Sequence, residues 1–406
     1  MTLVDTPVES VQRLQEFLRI RTIQPEPDHA TCLKYLESEA KALGLPFKTF
    51  YCVEGKPIAL MTWEGTQPDL PSILLNSHTD VVPVYEDFWD HPPFSAARVY
   101  DAERDDHRIY ARGSQDMKAV GQSYLEAIRV LQAQGKRLTR TLHLLFVPDE
   151  EIGGGEGMKL FVQTPEFKAL NLGLALDEGI ANPGEHYKLF YGERAPWWVK
   201  VTAEGNTGHG SQFIENTASE KLLRVINRLM DMREEERKRL LHNPDTLNIG
   251  DVTSLNLTFL KMGVQYNVVP REAMAGFDIR VTPHVNLVAF KKELESIIHE
   301  AGAQVEYVQY FGDNTLTPID ASNKWWVVFS KHCQNVGVQL ETEIFRGATD
   351  SRYIREMGIP AFGISPMNHT PTLLHDHNEF VYEKIYLKGI DFYVGLIETL
   401  ANDTTA

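Results

Sequence analysis

The chain has 406 residues, 43% of them hydrophobic and 24% charged, with a formal net charge of −16. That length favours two domains with sizeable cores, and the acid excess disfavours nucleic acid and anionic membranes as partners. Cys32, Cys52 and Cys333 are scattered and odd in number, which fits free thiols in a reducing compartment. The start, "MTLVDTPVESVQRL", lacks a basic end followed by an apolar run, and no stretch approaches about eighteen apolar residues. A cytoplasmic protein without a membrane span is expected.

From the N-terminus, "SVQRLQEFLRI" and "TCLKYLESEAKALGL" carry helical apolar spacing. Strands are predicted in "PFKTFYCV", "IALMTW" and "SILLNSH". "MKAVGQSYLEAIRVLQAQG" reads as an amphipathic helix, and "TLHLLFVPDEE" and "LGLALDEG" as further strands. Strands with no polar alternation are buried on both faces, which implies a mainly parallel sheet flanked by helices.

The pattern changes near Trp197. "WWVKVTAEG" alternates as a strand does, and "NTASEKLLRVINRLMDMREEERKRLL" is a long helix. "SLNLTFLKMG", "VQYNVVP" and "AMAGFDIRV" are read as strands, "NLVAFKKELESIIHEAG" as a helix and "QVEYVQYF" as a last strand. That order is ferredoxin-like. From about Pro318 the earlier alternation resumes, with "IPAFGIS" as a buried strand. The expected fold is therefore α/β, with a catalytic domain in two parts, 1–193 and 313–406. An α+β domain, 194–312, is inserted between them.

Five polar clusters stand out: His78 and Asp80, Asp116, the Asp149-Glu150-Glu151 run, Asp177 with Glu178, and His375 with His377; the first four sit where a strand ends or a helix begins. In open α/β sheets ligands bind beyond the carboxyl ends of the strands, so the five segments can share one crevice. Crowded carboxylates cannot all ionise without compensating positive charge. Lys and Arg are scarce in these clusters, so one or two divalent cations are the economical answer. Histidine plus carboxylate without cysteine suits zinc, with manganese or cobalt as alternatives. Asp116 has two oxygens with which to bridge a metal pair, and such a pair activates water. On an extended backbone adjacent side chains point apart, so of Glu150 and Glu151 one can bind metal while the other reaches the water. His78 and Asp80, two apart on a strand, project to one face. Asp80 is then placed to hold the imidazole through its other ring nitrogen. "GGGEG" fails the dinucleotide glycine pattern and no P-loop lysine follows, so it is read as a tight strand-to-helix turn.

"SHTDVVPV", "ARGSQDMK", "FVPDEEIGG", "LALDEG" and "LLHDHNE", in this order, resemble the motifs of the co-catalytic zinc metallopeptidases. "YARGSQDMK", "ALDEGIANP", "ATDSRYIR" and "SPMNHTPTLLHDH" extend the resemblance over essentially the whole chain. They bring it nearest the members that hydrolyse N-acyl-L-amino acids. The resemblance implies two zinc ions per subunit, with His78 and Glu178 on one, Glu151 and His375 on the other, and Asp116 bridging. It selects His375 over His377 because the family pattern is H-x-x-x-E, here ending at Glu379. It further implies a cis peptide bond between Asp116 and Met117. Glu150 takes the part of general base and Asp80 that of the carboxylate behind the histidine. The inserted domain would be a lid and a homodimer surface. In it His209 would stabilise an oxyanion, while Asn267 and Arg280 bind the substrate carboxylate. Arg352 is a further candidate for that carboxylate. Two rivals stand beside amide hydrolysis of N-acyl amino acids: a dipeptidase or carboxypeptidase on the same scaffold, and a catalytically silent metal- or partner-binding protein.

Overall fold

In the computed structural model, residues 8–405 are described. Residues 1–7, part of the opening stretch expected to carry no leader, lie outside the described residues. The apolar runs Ser72–His78, Leu142–Val147, Leu172–Asp177 and Ala361–Ile364 become strands whose side chains are almost all buried. They lie side by side and parallel, with His78 in register with Val147 and Leu75 with Leu176. The complete sheet has eight strands, in the order Phe47–Val53, Lys56–Trp63, Leu142–Val147, Ser72–His78, Leu172–Asp177, Ala361–Ile364, Tyr187–Glu193 and Leu340–Phe345. Its centre is parallel, as the unalternating runs require. Phe47–Val53, Lys56–Trp63 and Tyr187–Glu193 pair antiparallel, so the sheet as a whole is mixed.

The helix Lys118–Ala133 is buried along most of its length, from Lys118 to Ile128 without a break. It packs so closely on the sheet that a Cβ at Gly121 would lie 2.5 Å from Ser77 Oγ. Tyr124 meets Tyr393 of the helix Glu383–Asn402 edge-on, ring centroids 4.7 Å apart. Burying a large apolar side chain contributes about 1.5–3 kcal/mol, and this helix buries several. Its rigid seat matters because its first turn follows Asp116 directly. The Asp116–Met117 peptide bond is cis.

The chain divides into two compact units. One runs up to Tyr191 and includes Thr317–Thr342 and the chain from Thr349 onward. The other comprises Gly192–Leu316 and Glu343–Ala348. The second unit has a four-stranded antiparallel sheet in the order Ser254–Met262, Glu272–Val281, Ala195–Glu204, Ala303–Gln309. With the helices Ala218–Leu241 and Leu287–Glu300, that is the ferredoxin-like succession. Two details differ from the sequence reading. "VQYNVVP" supplies only Val268–Val269, which forms a two-stranded ribbon with Gly208–His209. Val264 and Tyr266 are fully exposed, so nothing in this unit holds the rest of the run as a strand. The short segment Glu343–Ala348 belongs to the second unit, because Arg194 donates from Nε and NH2 to the Arg346 carbonyl, at 3.0 and 2.6 Å.

Candidate metal centre

His78 is the last residue of its strand and Asp177 the last of the next, so both stand at the carboxyl edge of the parallel sheet. Glu178 follows Asp177 at once. The strand Leu142–Val147 leads through Pro148 and Asp149 into a 3-10 turn, Glu150–Ile152. The expectation of an extended backbone at Glu150 and Glu151 is therefore corrected. A turn, not a pleat, sends the two carboxylates in different directions. Gly154 in this segment has φ +60°, and a Cβ there would lie 2.4 Å from Asp350 Oδ1. The glycines make the tight turn read from the sequence, ahead of the short helix Met158–Phe161.

His78 Nδ1 donates to the Asp80 carbonyl at 2.9 Å. That bond fixes the tautomer and turns the Nε2 lone pair inward, 2.9 Å from Asp116 Oδ1 and 3.7 Å from Glu178 Oε2. His375 Nε2 lies 3.1 Å from Asp116 Oδ2 and 3.0 Å from Glu151 Oε2. The two oxygens of Asp116 thus face two different histidines, each with a glutamate beside it. The donor atoms of His78, Glu150 and Glu178 all lie within 4.8 Å of one another, and so do those of His78, Asp116 and Glu151.

The electrostatics are those of a site short of positive charge. Burial and the neighbouring Glu178 push the Glu150 carboxyl well up. Burial and Asp116 do the same to Glu178, and raise Glu151 to about 7. Burial acts on Asp116 too, but the contacts with His375 and His78 outweigh it and hold its carboxyl well below the usual range. His375 is raised to about 10 by Asp116 and Glu151. Glu151 Oε1 is buried without a hydrogen-bond partner. Inward-facing imidazole nitrogens, crowded carboxylates and an orphaned buried oxygen fit a pair of divalent cations.

Asp80 is placed differently from the expectation. The strand ends at His78, so Asp80 lies beyond it. Its carbonyl, rather than its carboxylate, holds the imidazole, and Oδ1 stands 3.5 Å from Nδ1. The carboxylate accepts from Gln24 Nε2 at 2.8 Å and from the backbone N–H groups of Glu150 and Glu151 at 3.1 and 3.2 Å. Asp80 therefore ties the histidine to the turn that carries both glutamates.

Arg352, expected to offer its guanidinium to a substrate, is buried and donates to the Gly153 carbonyl at 2.7 Å. It braces the same turn from behind. In the second unit His209 is exposed, with Nδ1 2.8 Å from Ser211 Oγ. Asn267 accepts the Gly210 N–H on its carbonyl at 2.8 Å, so it and His209 share the small ribbon. Arg280 makes a forked pair with Asp278, at 2.7 and 2.9 Å.

Several supporting residues were not read from the sequence. Glu379 entered only as the end of a pattern. Its buried carboxylate accepts from Arg112 NH1 and from Gln115 N, both at 2.6 Å, and so fixes the segment leading into Asp116. Ser351 Oγ donates to Asp177 Oδ2 at 2.7 Å, and Asn76 Nδ2 to Asp177 Oδ1 at 3.0 Å. Asp350 is fully buried with neither oxygen hydrogen-bonded, and burial and Asp177 push its carboxyl well up. The available signal was "ATDSR", a polar run between apolar ones.

Residues 74–399 match the model of peptidase family M20/M25/M40. The chain is 53% identical to aminoacylase-1 of Mus musculus, over all of this chain and 99% of that protein. It is 49% identical to aminoacylase-1 of Dictyostelium discoideum, over 97% and 98%. An M20-family metallo-carboxypeptidase from Sulfolobus solfataricus superposes with a TM-score of 0.75 at 20% identity, covering 97% of this chain and 99% of that one. A dinuclear metal-binding M20-family peptidase of Bacillus subtilis superposes at 0.68 with 14% identity, covering 97% and 98%. Matched along most of its length by the family model, the chain belongs to peptidase family M20/M25/M40.

Proposed function

We propose that this protein is a metal-dependent amidohydrolase that converts N-acyl-L-amino acids to a carboxylate and a free L-amino acid. The observation that carries the chemistry is Asp116, whose two oxygens face His78 and His375. The high identity to aminoacylase-1 over the full chain supports the substrate class. In this reading His78 and Glu178 would hold one zinc ion and Glu151 and His375 the other, with Asp116 shared between them. Bound there, a metal pair lowers the pKa of a water and polarises the amide carbonyl.

The residues of the chain do the rest. Glu150 takes a proton from the attacking water on its carboxylate and returns it to the leaving amine nitrogen. Burial leaves its carboxyl desolvated, which makes it a better base than an exposed one. Asp80 holds the His78 ring and the Glu150–Glu151 backbone in one arrangement. Asn267 and Arg280 bind the substrate's α-carboxylate and His209 an oxyanion. The second unit then serves as lid and as homodimer surface, and the first unit as the catalytic domain. The three free cysteines support a cytoplasmic setting. Among the described residues no helix is long and apolar enough to cross a membrane.

The test is hydrolysis of N-acetyl-L-methionine beside a dipeptide, each with and without a chelator, with metal content measured. Chelator-sensitive release of methionine from the acyl substrate, well above dipeptide cleavage, is the expected result. Dipeptide cleavage alone would move the protein to a peptidase reading, and no hydrolysis with full metal content would leave it a binding protein.

A further inference from the structure

The loop after Asp80 leaves two large aromatic side chains in solvent. Tyr85 is 71% exposed and Phe88 65%. The loop itself is anchored: the adjacent Trp89 is buried, with the Arg112 guanidinium 5.3 Å from its ring centroid. Both exposed rings meet one imidazole. Phe88 stacks on His377 with centroids 5.1 Å apart and planes 20° from parallel, and Tyr85 meets it edge-on at 6.2 Å. Asp90 and Asn378 clamp the two loops together. Asp90 N donates to Asn378 Oδ1 at 2.7 Å, and Asn378 Nδ2 donates to Asp90 Oδ2 at 3.1 Å. His377 lies two residues beyond His375, whose Nε2 faces Asp116 and Glu151. An aromatic shelf is thus fixed to the loop that carries a candidate metal ligand. It adds nothing to the ligand set or to the core.

Its surroundings say which part of a substrate suits it. Asp87, Asp90 and Asp376 are exposed beside the shelf, and Glu86 is paired with Arg21 at 2.9 Å. This acidic border repels a carboxylate. In an N-acyl amino acid the side chain shares its carbon with the carboxylate, whereas the acyl group lies across the amide bond. The neutral acyl group is the part that can approach. We propose that Tyr85, Phe88 and His377 form the acyl-group subsite and favour aromatic acyl groups over acetyl. The inference rests on the reading of the protein as an N-acyl-amino-acid hydrolase.

The experiment compares kcat/KM for N-benzoyl-L-methionine and N-acetyl-L-methionine in the wild type, Phe88→Ala and Tyr85→Ala. The same proteins are assayed on N-acetyl-L-phenylalanine and N-acetyl-L-alanine. Losing one ring contact should lower the benzoyl-to-acetyl ratio about fivefold to tenfold, while the phenylalanine-to-alanine ratio stays within about twofold. In a Glu150→Gln background, Phe88→Ala should weaken the calorimetric Kd of N-benzoyl-L-methionine by a similar factor, a readout independent of turnover. An unchanged acyl ratio in both variants overturns the subsite. So does a change confined to the side-chain ratio, which would give the shelf to the amino-acid side chain. A wild type that turns over none of the four substrates overturns the hydrolase reading itself, and the subsite with it.

Discussion

The parallel strands of the first unit bury polar groups at both ends, and the two ends treat them in opposite ways. Where the strands begin, each group finds a neutral partner. His143 Nδ1 is 3.0 Å from Thr62 Oγ1. Arg140 donates to the Pro71 and Asp403 carbonyls, both at 2.8 Å, and lies over the Trp325 ring. Where the strands finish, carboxylates crowd one another. Glu151 Oε1, Asn76 Oδ1 and both oxygens of Asp350 are left without a partner. A fold under selection for stability alone settles its buried polar groups. The unsettled end is the one we propose carries the function.

Three changes sharpen or break that contrast. The largest effect belongs to Glu150→Gln, which should reduce hydrolysis about 10²–10⁴-fold while leaving both metals bound. It replaces a buried carboxyl that its neighbours already disfavour as an anion with a neutral amide of the same shape, so the metal-free protein should melt no lower than the wild type. A clear fall in its Tm would mean that the finishing end is built for stability after all.

At the beginning end the effect is on stability and depends on acid. Burial lowers the His143 pKa from 6.5 to about 4. As the pH falls below 6.5 the unfolded chain takes up a proton that the folded chain refuses. The neutral imidazole therefore contributes in full above about pH 6.5, and its contribution is lost as the pH falls through about 4. The loss is on the order of 3 kcal/mol. Urea midpoints measured from pH 7 to pH 4 should fall more steeply in the wild type than in His143→Gln. Parallel curves would remove His143 from the acid response.

The smallest expected effect is that of Asp80→Asn. The carbonyl that holds His78 remains, and the amide oxygen can still accept one backbone N–H. Activity should fall about tenfold to a hundredfold, with the metal content little changed. A loss as deep as that of Glu150→Gln would give Asp80 a direct part in the chemistry.

The period of apolar residues made the helices and the parallel strands readable. A polar residue at the end of an unbroken apolar run pointed to His78, Glu150 and Glu178 in the same way. Contacts between distant segments were not readable, because no spacing encodes them. Gln24 reaches Asp80 across 56 positions and Arg352 reaches Gly153 across 199. Local geometry also intervened. "PDEE" looks like the end of a strand, yet its glutamates sit in a 3-10 turn that Asp80 holds through two backbone N–H groups. Tyr85 and Phe88 gave no signal, since exposed aromatics in a loop are ordinary until their rings are seen to meet His377.

Asp80 deserves a last consequence because its two functional groups serve two different loops. Its carbonyl addresses His78 and its carboxylate addresses the backbone of Glu150 and Glu151. A designer who moved only the five presumed ligands and Glu150 onto another parallel sheet would bring the chemistry without its alignment. The smallest portable version of the centre also includes Asp80 and the Gln24 that steadies it.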